Sequence, residues 1–322
     1  MLIRALFRRS LTVPVCIGAT LFVTAASPIL LVICALLTLH PACRGAIPTF
    51  GFILGYLWCE TLGILSAFYL WLRHRDSKAF LAGNYRLQCW WASTLKLIAQ
   101  RFFDLHFEVS NPEALKGPGA LVFPRHTSIA DTLIPMVFYA IPEKIRLRYV
   151  LKKELIIDPC LDIVGHRLPN FFIDRGAQDS NATRSGLARL THGLTEDEGI
   201  LLYPEGTRFT QSKRARLQQR AANDRELEQQ LARWPSLMPP KPGGFLTLLE
   251  ANPGRDLIFC GHAGFEGSSH VTDLFNGSWQ HAWIRICFWR VPFEEIPTER
   301  AARIDFLFHQ WDVMQEWVSA NS

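Results

Sequence analysis

From residue 11 to residue 39 the chain carries no charged side chain, and this run limits the fold before anything else does. It reads "LTVPVCIGATLFVTAASPILLVICALLTL". Crossing a hydrocarbon layer of about 30 Å takes roughly 20 apolar residues in a helix, so the run is long enough with length to spare. A second run, residues 45–72, is broken only by Glu60, and the link "HPACR" between the two is short enough to force a hairpin. A secretory signal has an apolar stretch of only about 7–15 residues, and here a second run follows the first. Residues 1–80 are therefore expected to form a membrane hairpin, either two spanning helices or a re-entrant loop in one leaflet. Pro14, Pro28 and Pro48 favour the re-entrant form by weakening straight helices, and Pro28 is the natural place for a kink. Glu60 at membrane depth is costly unless it faces protein or water.

The formal charge of +5 comes entirely from this region. Residues 1–80 hold seven Lys or Arg (Arg4, Arg8, Arg9, Arg44, Arg73, Arg75, Lys78) against Glu60 and Asp76, and the remainder is neutral. A neutral globular part argues against nucleic acid as a partner, which needs a basic face. Arg4, Arg8 and Arg9 precede the first run, while Arg73, Arg75 and Lys78 follow the second. The positive-inside rule then puts both flanks, and residues 81–322, on the cytoplasmic face of the cell (inner) membrane. Eight cysteines without a C-x-x-C pair read as free thiols in a reducing compartment, not as a disulfide framework or zinc site.

Past the hairpin, residues 89–109 read as an amphipathic helix running into a strand, with Trp90 and Trp91 either at a headgroup boundary or packed on the domain. Short β-rich runs then recur at "LHFEV" (105–109), "ALVF" (120–123), "LRYVL" (147–151), "NFFID" (170–174), "ILLY" (200–203), "DLIFCG" (256–261) and "WIRICFW" (283–289). Helix-like stretches at 131–140, 180–192, 212–234 and 244–251 separate several of them. This alternation predicts an α/β domain over 81–322, a mostly parallel sheet flanked by helices. In such folds sites gather where loops leave the carboxyl ends of strands. His126 follows "ALVF", Arg175 follows "NFFID" and Glu205 follows "ILLY", so the three are expected at one edge.

The segment "HTSIAD" offers a chemistry for that edge. If residues 127–130 turn, Asp131 folds back to accept from one nitrogen of His126, which fixes the tautomer and raises the basicity of the other. No G-x-S-x-G elbow supplies a serine and no cysteine stands nearby, so the base would act on a hydroxyl of the substrate itself. No ligand-spaced set of Asp, Glu or His surrounds the pair, so no metal is expected. In "YPEGTRF" (203–209), Gly206 lets backbone approach a ligand, Glu205 can accept from a hydroxyl or amine, and Arg208 can hold an anion. Arg175 presents a guanidinium fork suited to phosphate or carboxylate. Arg125, Lys152, Lys153, Arg208 and Lys241 are further candidates for phosphate or oxyanion contacts, Arg208 and Lys152 foremost. The basic set Lys213, Arg214, Arg216 and Arg220 reads as a solvated helix face, with contact to anionic headgroups or the CoA phosphates as the alternative.

H-x4-D, then F-I-x-R, then Y-P-E-G-T-R, in this order, resembles the glycerophospholipid acyltransferase family, which includes 1-acyl-sn-glycerol-3-phosphate acyltransferases. The likeness runs from about residue 121 to 261 and takes in "LKKEL" (151–155). It implies acyl transfer from a CoA or carrier-protein thioester to a glycerophospholipid hydroxyl without an acyl-enzyme, and no cofactor beyond that co-substrate. It also implies that His126 deprotonates the acceptor and Asp131 holds it, while Arg175, Glu205 and Gly206 help bind phosphate and glycerol; Thr207, Arg208 and Lys152 complete the expected substrate-binding set. Two features depart from the pattern: Arg125 stands where asparagine is frequent, and "LIFCGHAG" (257–264) lacks the usual proline. "LMPPKPGGF" (237–245) is instead similar to a segment of the lysocardiolipin-type branch. Three readings therefore stand: an acyltransferase for lysophosphatidic acid, one for another lysophospholipid, or an anionic-lipid-binding membrane protein without turnover.

Overall fold

The computed structural model describes residues 2–73, 78–173, 180–266 and 270–322. In chain order the helices and strands are α1 (Leu2–Leu37), α2 (Ala46–Arg73), α3 (Lys78–Phe103), β1 (His106–Ser110), β2 (Leu121–Pro124), β3 (Arg146–Lys152), α4 (Pro159–Gly165) and β4 (Phe171–Ile173). There follow α5 (Ser180–Leu190), β5 (Glu198–Leu201), α6 (Gln211–Ala221), α7 (Arg225–Arg233), α8 (Pro242–Glu250), β6 (Leu257–Ala263), β7 (Trp283–Val291) and α9 (Arg300–Asn321). All seven β-rich runs are strands. The chain divides into two compact units, the first made of Met1–Leu105, Leu151–Ala177 and Leu274–His281 and the second of the rest. The first unit takes in α3 in full.

The first unit is helical. Both apolar runs are single helices, long and apolar enough to cross a membrane, and α1 passes through Pro14 and Pro28 without being divided. Polar rungs tie α1 to α2: the Thr20 and Thr61 hydroxyls meet at 2.8 Å, and Trp58 Nε1 donates to Thr24 Oγ1 at 3.0 Å. Gly51 lets α3 come close to α2, since a Cβ there would stand 2.2 Å from the Phe102 ring. Glu60 faces protein, not lipid. Its oxygens accept from Trp91 Nε1 of α3 at 2.5 Å and from the backbone N–H of Cys160 in α4 at 3.2 Å. The start of α4 is set by Asp158, which caps Leu161 N–H ahead of Pro159, and Asp158 also accepts from Tyr56 at 2.5 Å. Arg8 and Arg9 both reach the buried Asp162 of α4, at 2.6 and 2.9 Å. Burial alone would raise the Asp162 carboxyl, but hydrogen bonds from His166, Arg9 and Arg8 outweigh it and hold it well below the usual range.

The second unit is a mixed sheet with strands in the order β1-β7-β6-β2-β5-β3. Every described pair is parallel except β6 with β7. β2 is central and buried along its length, as its uninterrupted apolar run requires when both faces are covered. Phe123 of β2 packs on Phe245 of α8 and Phe259 of β6, with ring centroids 4.9 and 5.6 Å apart. On α9, Leu307, Trp311, Met314 and Val318 are buried, a spacing that lines one helical face. That face lies over β6, with Trp311 edge-on to Phe259 at 6.5 Å. The charged stretch expected as one helix over 212–234 is two, because Asp224 caps Leu227 N–H and starts α7 afresh. The helix-like run 131–140 is a turn followed by a π-helical segment, Met136–Ala140.

Candidate active site

β2 and β5 are parallel neighbours, Leu121 opposite Ile200 and Val122 opposite Leu201, so their carboxyl ends share one edge. The two loops leaving that edge are fastened to each other through main chain. His126 N–H donates to Glu205 Oε1 at 2.7 Å, and Phe209 N–H donates to His126 O at 2.7 Å.

Within the first loop the chain turns back as its small residues allow. Asp131 Oδ2 accepts from the Thr127 and Ser128 N–H groups, the latter at 2.7 Å, and from His126 Nδ1 at 3.0 Å. With Nδ1–H donated to the carboxylate, Nε2 on the opposite side of the ring is the nitrogen available as a base. Asp131 is fully buried, while His126 keeps 17% of its side chain exposed. Burial works against the Asp131 charge, yet His262 and His126 beside it hold the carboxyl below its ordinary value. The imidazole lies against the Tyr203 ring, centroids 4.3 Å apart.

The second loop begins with a β-turn in which Gly206 N–H donates to Tyr203 O at 3.0 Å, with Pro204 at the position where its fixed φ fits. Gly206 then takes φ +68°, the left-handed region. A Cβ at Gly206 would lie 3.5 Å from Lys241 Cδ and 3.8 Å from its Nζ, so Lys241 flanks the turn. Lys213 Nζ donates to Thr207 Oγ1 at 2.8 Å and to Arg208 O at 3.1 Å, which steadies the loop against α6. The guanidinium of Arg208 makes no hydrogen bond or ion pair among the described residues.

His126, Asp131, Glu205, Gly206, Thr207 and Arg208 are therefore gathered on adjoining loops, and two expectations are corrected. Glu205 is buried with both oxygens taken by backbone, Oε1 by His126 N–H and Oε2 by Met238 N–H at 3.1 Å. It braces the site instead of offering an acceptor to a ligand. Burial pushes its carboxyl up to about 8, against the pull of those two donors and of Arg125. Arg125, expected as a phosphate or oxyanion contact, is a buried strut: it donates to His262 O, to Ser236 O at 3.0 Å and to Glu266 Oε1 at 2.7 Å. Lys152 belongs to the first unit, where it pairs with Glu154 at 3.2 Å. Arg175 and Arg75 lie outside the described residues. Lys241 is fastened to the turn, its backbone N–H donating to Pro204 O at 2.9 Å. His262 escaped the sequence reading; its signal was its place in "LIFCGHAG", the block that departs from the family pattern. Among the described residues no group of three or more His, Cys, Asp or Glu is placed to hold a metal ion.

An oriented imidazole beside cationic loops on an α/β edge suits attack by a substrate hydroxyl, and the comparisons give the class. Residues 106–258 match the family model described as Acyltransferase, a little under half of the chain. The chain is an acyltransferase. Its fold is similar to the crystal structure of the 1-acyl-sn-glycerophosphate (LPA) acyltransferase PlsC from Thermotoga maritima, with a TM-score of 0.59 and 14% identity over 86% of this chain and 97% of that one. At that identity the likeness is one of fold. The match places an acyltransferase domain over residues 106–258, and the order of the motif blocks is similar to that of the glycerophospholipid acyltransferase family. No match was found among curated proteins.

Proposed function

We propose that this protein transfers an acyl chain from a CoA or carrier-protein thioester to the free hydroxyl of lysophosphatidic acid at a membrane surface. The observation that carries the reading is the His126 Nδ1 to Asp131 Oδ2 hydrogen bond, 3.0 Å long, at the loop edge that also bears Arg208. His126 Nε2 takes the hydroxyl proton as the acceptor oxygen attacks the thioester carbonyl. The tetrahedral intermediate collapses, the C–S bond breaks, and the imidazolium returns its proton to the departing thiolate. Arg208 and Lys241 hold the acceptor's phosphate, joined by Arg175 as the family resemblance implies, and the gain is one of orientation. Lys152, a candidate on charge alone, enters this proposal only as a surface cation.

Residues 2–73 supply the membrane attachment, their exposed apolar side chains such as Phe7, Leu21, Phe22, Ile29 and Leu36 facing acyl chains. The catalytic part then works on the cytoplasmic face, where acyl thioesters are made.

Purified protein given labelled acyl-CoA, or acyl-carrier protein, with lysophosphatidic acid is expected to form phosphatidic acid, and His126→Ala to abolish it. Unchanged turnover in that variant ends the mechanism. A second acceptor reading rests on the segment 237–245, whose Met238 and Lys241 both touch the Glu205–Gly206 loop. A panel including lysophosphatidylglycerol and lysocardiolipin separates the two by kcat/KM. Liposome binding without transfer to any member of the panel supports the non-catalytic reading instead.

A further inference from the structure

His126 follows β2 and Tyr203 follows β5, and the fold presses their rings together. Leu202 N–H donates to Val122 O at 3.0 Å, so the two strands stay tied up to the residue before Tyr203. Gly206 N–H donates to Tyr203 O and Phe209 N–H to His126 O, which fastens both main chains where the side chains leave them. The ring centroids are 4.3 Å apart and the planes are tilted by 32°, so the rings meet through their faces and not edge-on. Such a contact leaves the nitrogens at the imidazole rim to other partners, as Nδ1 shows by reaching Asp131 Oδ2 at 3.0 Å. The tyrosine oxygen is buried and meets no hydrogen-bond partner among the described residues. Burial foremost, with the Asp131 charge behind it, pushes the phenol well above its ordinary value, so it stays protonated while His126 changes state. What Tyr203 offers the imidazole is therefore a neutral, electron-rich ring face. Such a face attracts a cation within about 6 Å of its centre, more strongly where water is kept out. The imidazole is neutral before it takes a proton and a cation afterwards, so the face favours the second form, the kind of difference that speeds a step. The charged groups about the imidazole are Asp131 on Nδ1 and Glu205 on the main-chain N–H. Arg125 is turned away onto His262 O, Ser236 O and Glu266. On the tyrosine's side stand Tyr149 of β3 and Cys260 of β6, the latter thiol also pushed up by burial.

We propose that Tyr203 is a positioning residue for the base: its ring face holds the His126 imidazole against Asp131 and favours the imidazolium formed when the acceptor hydroxyl gives up its proton. This rests on the reading of His126 as the general base. The ring carries the role and the hydroxyl does not, so phenylalanine should serve as well as tyrosine and an aliphatic side chain should not. Taking the ring away makes His126 a weaker base and lets the imidazole swing on its Cα–Cβ bond.

The test follows titration of His126 without needing turnover. The full chain in detergent micelles is treated with diethylpyrocarbonate across a pH series, and carbethoxylation of the His126 peptide is read by mass spectrometry. Tyr203→Leu removes the ring, and its midpoint is expected about half a unit to one unit below the wild type. Tyr203→Phe keeps the face and is expected to titrate with the wild type. In parallel, kcat for acyl transfer on the alkaline plateau falls about threefold to tenfold in the Leu variant at unchanged KM, and the Phe variant keeps it. A purely structural role would lower yield and melting temperature without moving the midpoint. Coincident midpoints in all three proteins, or a Phe variant that titrates like Leu, overturn the proposal. If the Leu variant does not fold, pentafluorophenylalanine at position 203 replaces it, because it keeps the ring's shape and reverses the charge of its face. A fluorinated variant titrating like Phe is then equally fatal. If the midpoints shift as expected but the wild type transfers no acyl group, the proposed function fails and the ring contact stands; transfer with coincident midpoints does the reverse.

Discussion

Trp91 donates its indole N–H to Glu60 at 2.5 Å, so the one acid within the apolar helical hairpin is answered by a side chain of the next helix. A carboxylate buried this far needs every lone pair met. The pairing makes α3 part of the helical unit and gives Trp90 and Trp91 different surroundings: Trp90 is exposed, whereas Trp91 packs among buried residues.

Trp91→Phe keeps the ring and removes only the donor. It is expected to cost about 1–3 kcal/mol of stability, seen as a lower melting temperature in detergent, with turnover per folded molecule retained. Equal loss of melting temperature in a Glu60→Gln, Trp91→Phe double variant and in either single one would show the two residues acting as a pair.

Asp131→Asn tests the tautomer. The amide offers Nδ1 no charged acceptor and turns an N–H against the Thr127 or Ser128 donors or against His126. Turnover is expected to fall by about 10²–10⁴ with KM little changed, from initial rates at saturating donor.

Gly206→Ala separates conformation from space. A Cβ has room there, the nearest atom being 3.5 Å away on a flexible lysine, so the penalty comes from φ +68°. It should be about 1 kcal/mol, read from the denaturation midpoint, and KM for the acceptor should rise more than kcat falls if the turn shapes the phosphate site.

Glu205 sets a pH dependence with a definite sign. Its folded carboxyl is raised to about 8, above an ordinary value of 4.5, so the folded state binds the extra proton. That contribution is complete below the ordinary value and is lost as pH rises through the raised one. Melting temperature is therefore expected to fall between about pH 5 and about pH 8.5, and less so in Glu205→Gln. The Gln variant starts lower, having lost an acceptor for His126 or Met238, and the two curves converge in alkali.

The strands and the motif loops were legible because both are local. Each β-rich run became a strand, and the His126–Asp131 turn closes over five residues. What stayed hidden depends on partners far along the chain. Arg125 reads as an available cation until Ser236, His262 and Glu266 are found around it, 111 to 141 residues away. Glu205 reads as a ligand-facing acid until Met238 N–H arrives from 33 residues on. The division of the 212–234 helix was legible in principle, since Asp224 followed by Glu226 and Glu228 is an N-terminal signature inside the run.

The main chain of His126 spends both its N–H and its C=O on the 205–209 loop, so the loop's shape does not depend on the imidazole. An alanine there is a chemical lesion and not an architectural one. Such a protein would still receive thioester and acceptor together without consuming them, making it the natural vehicle for trapping the ternary complex in which the order and depth of lipid entry can be seen.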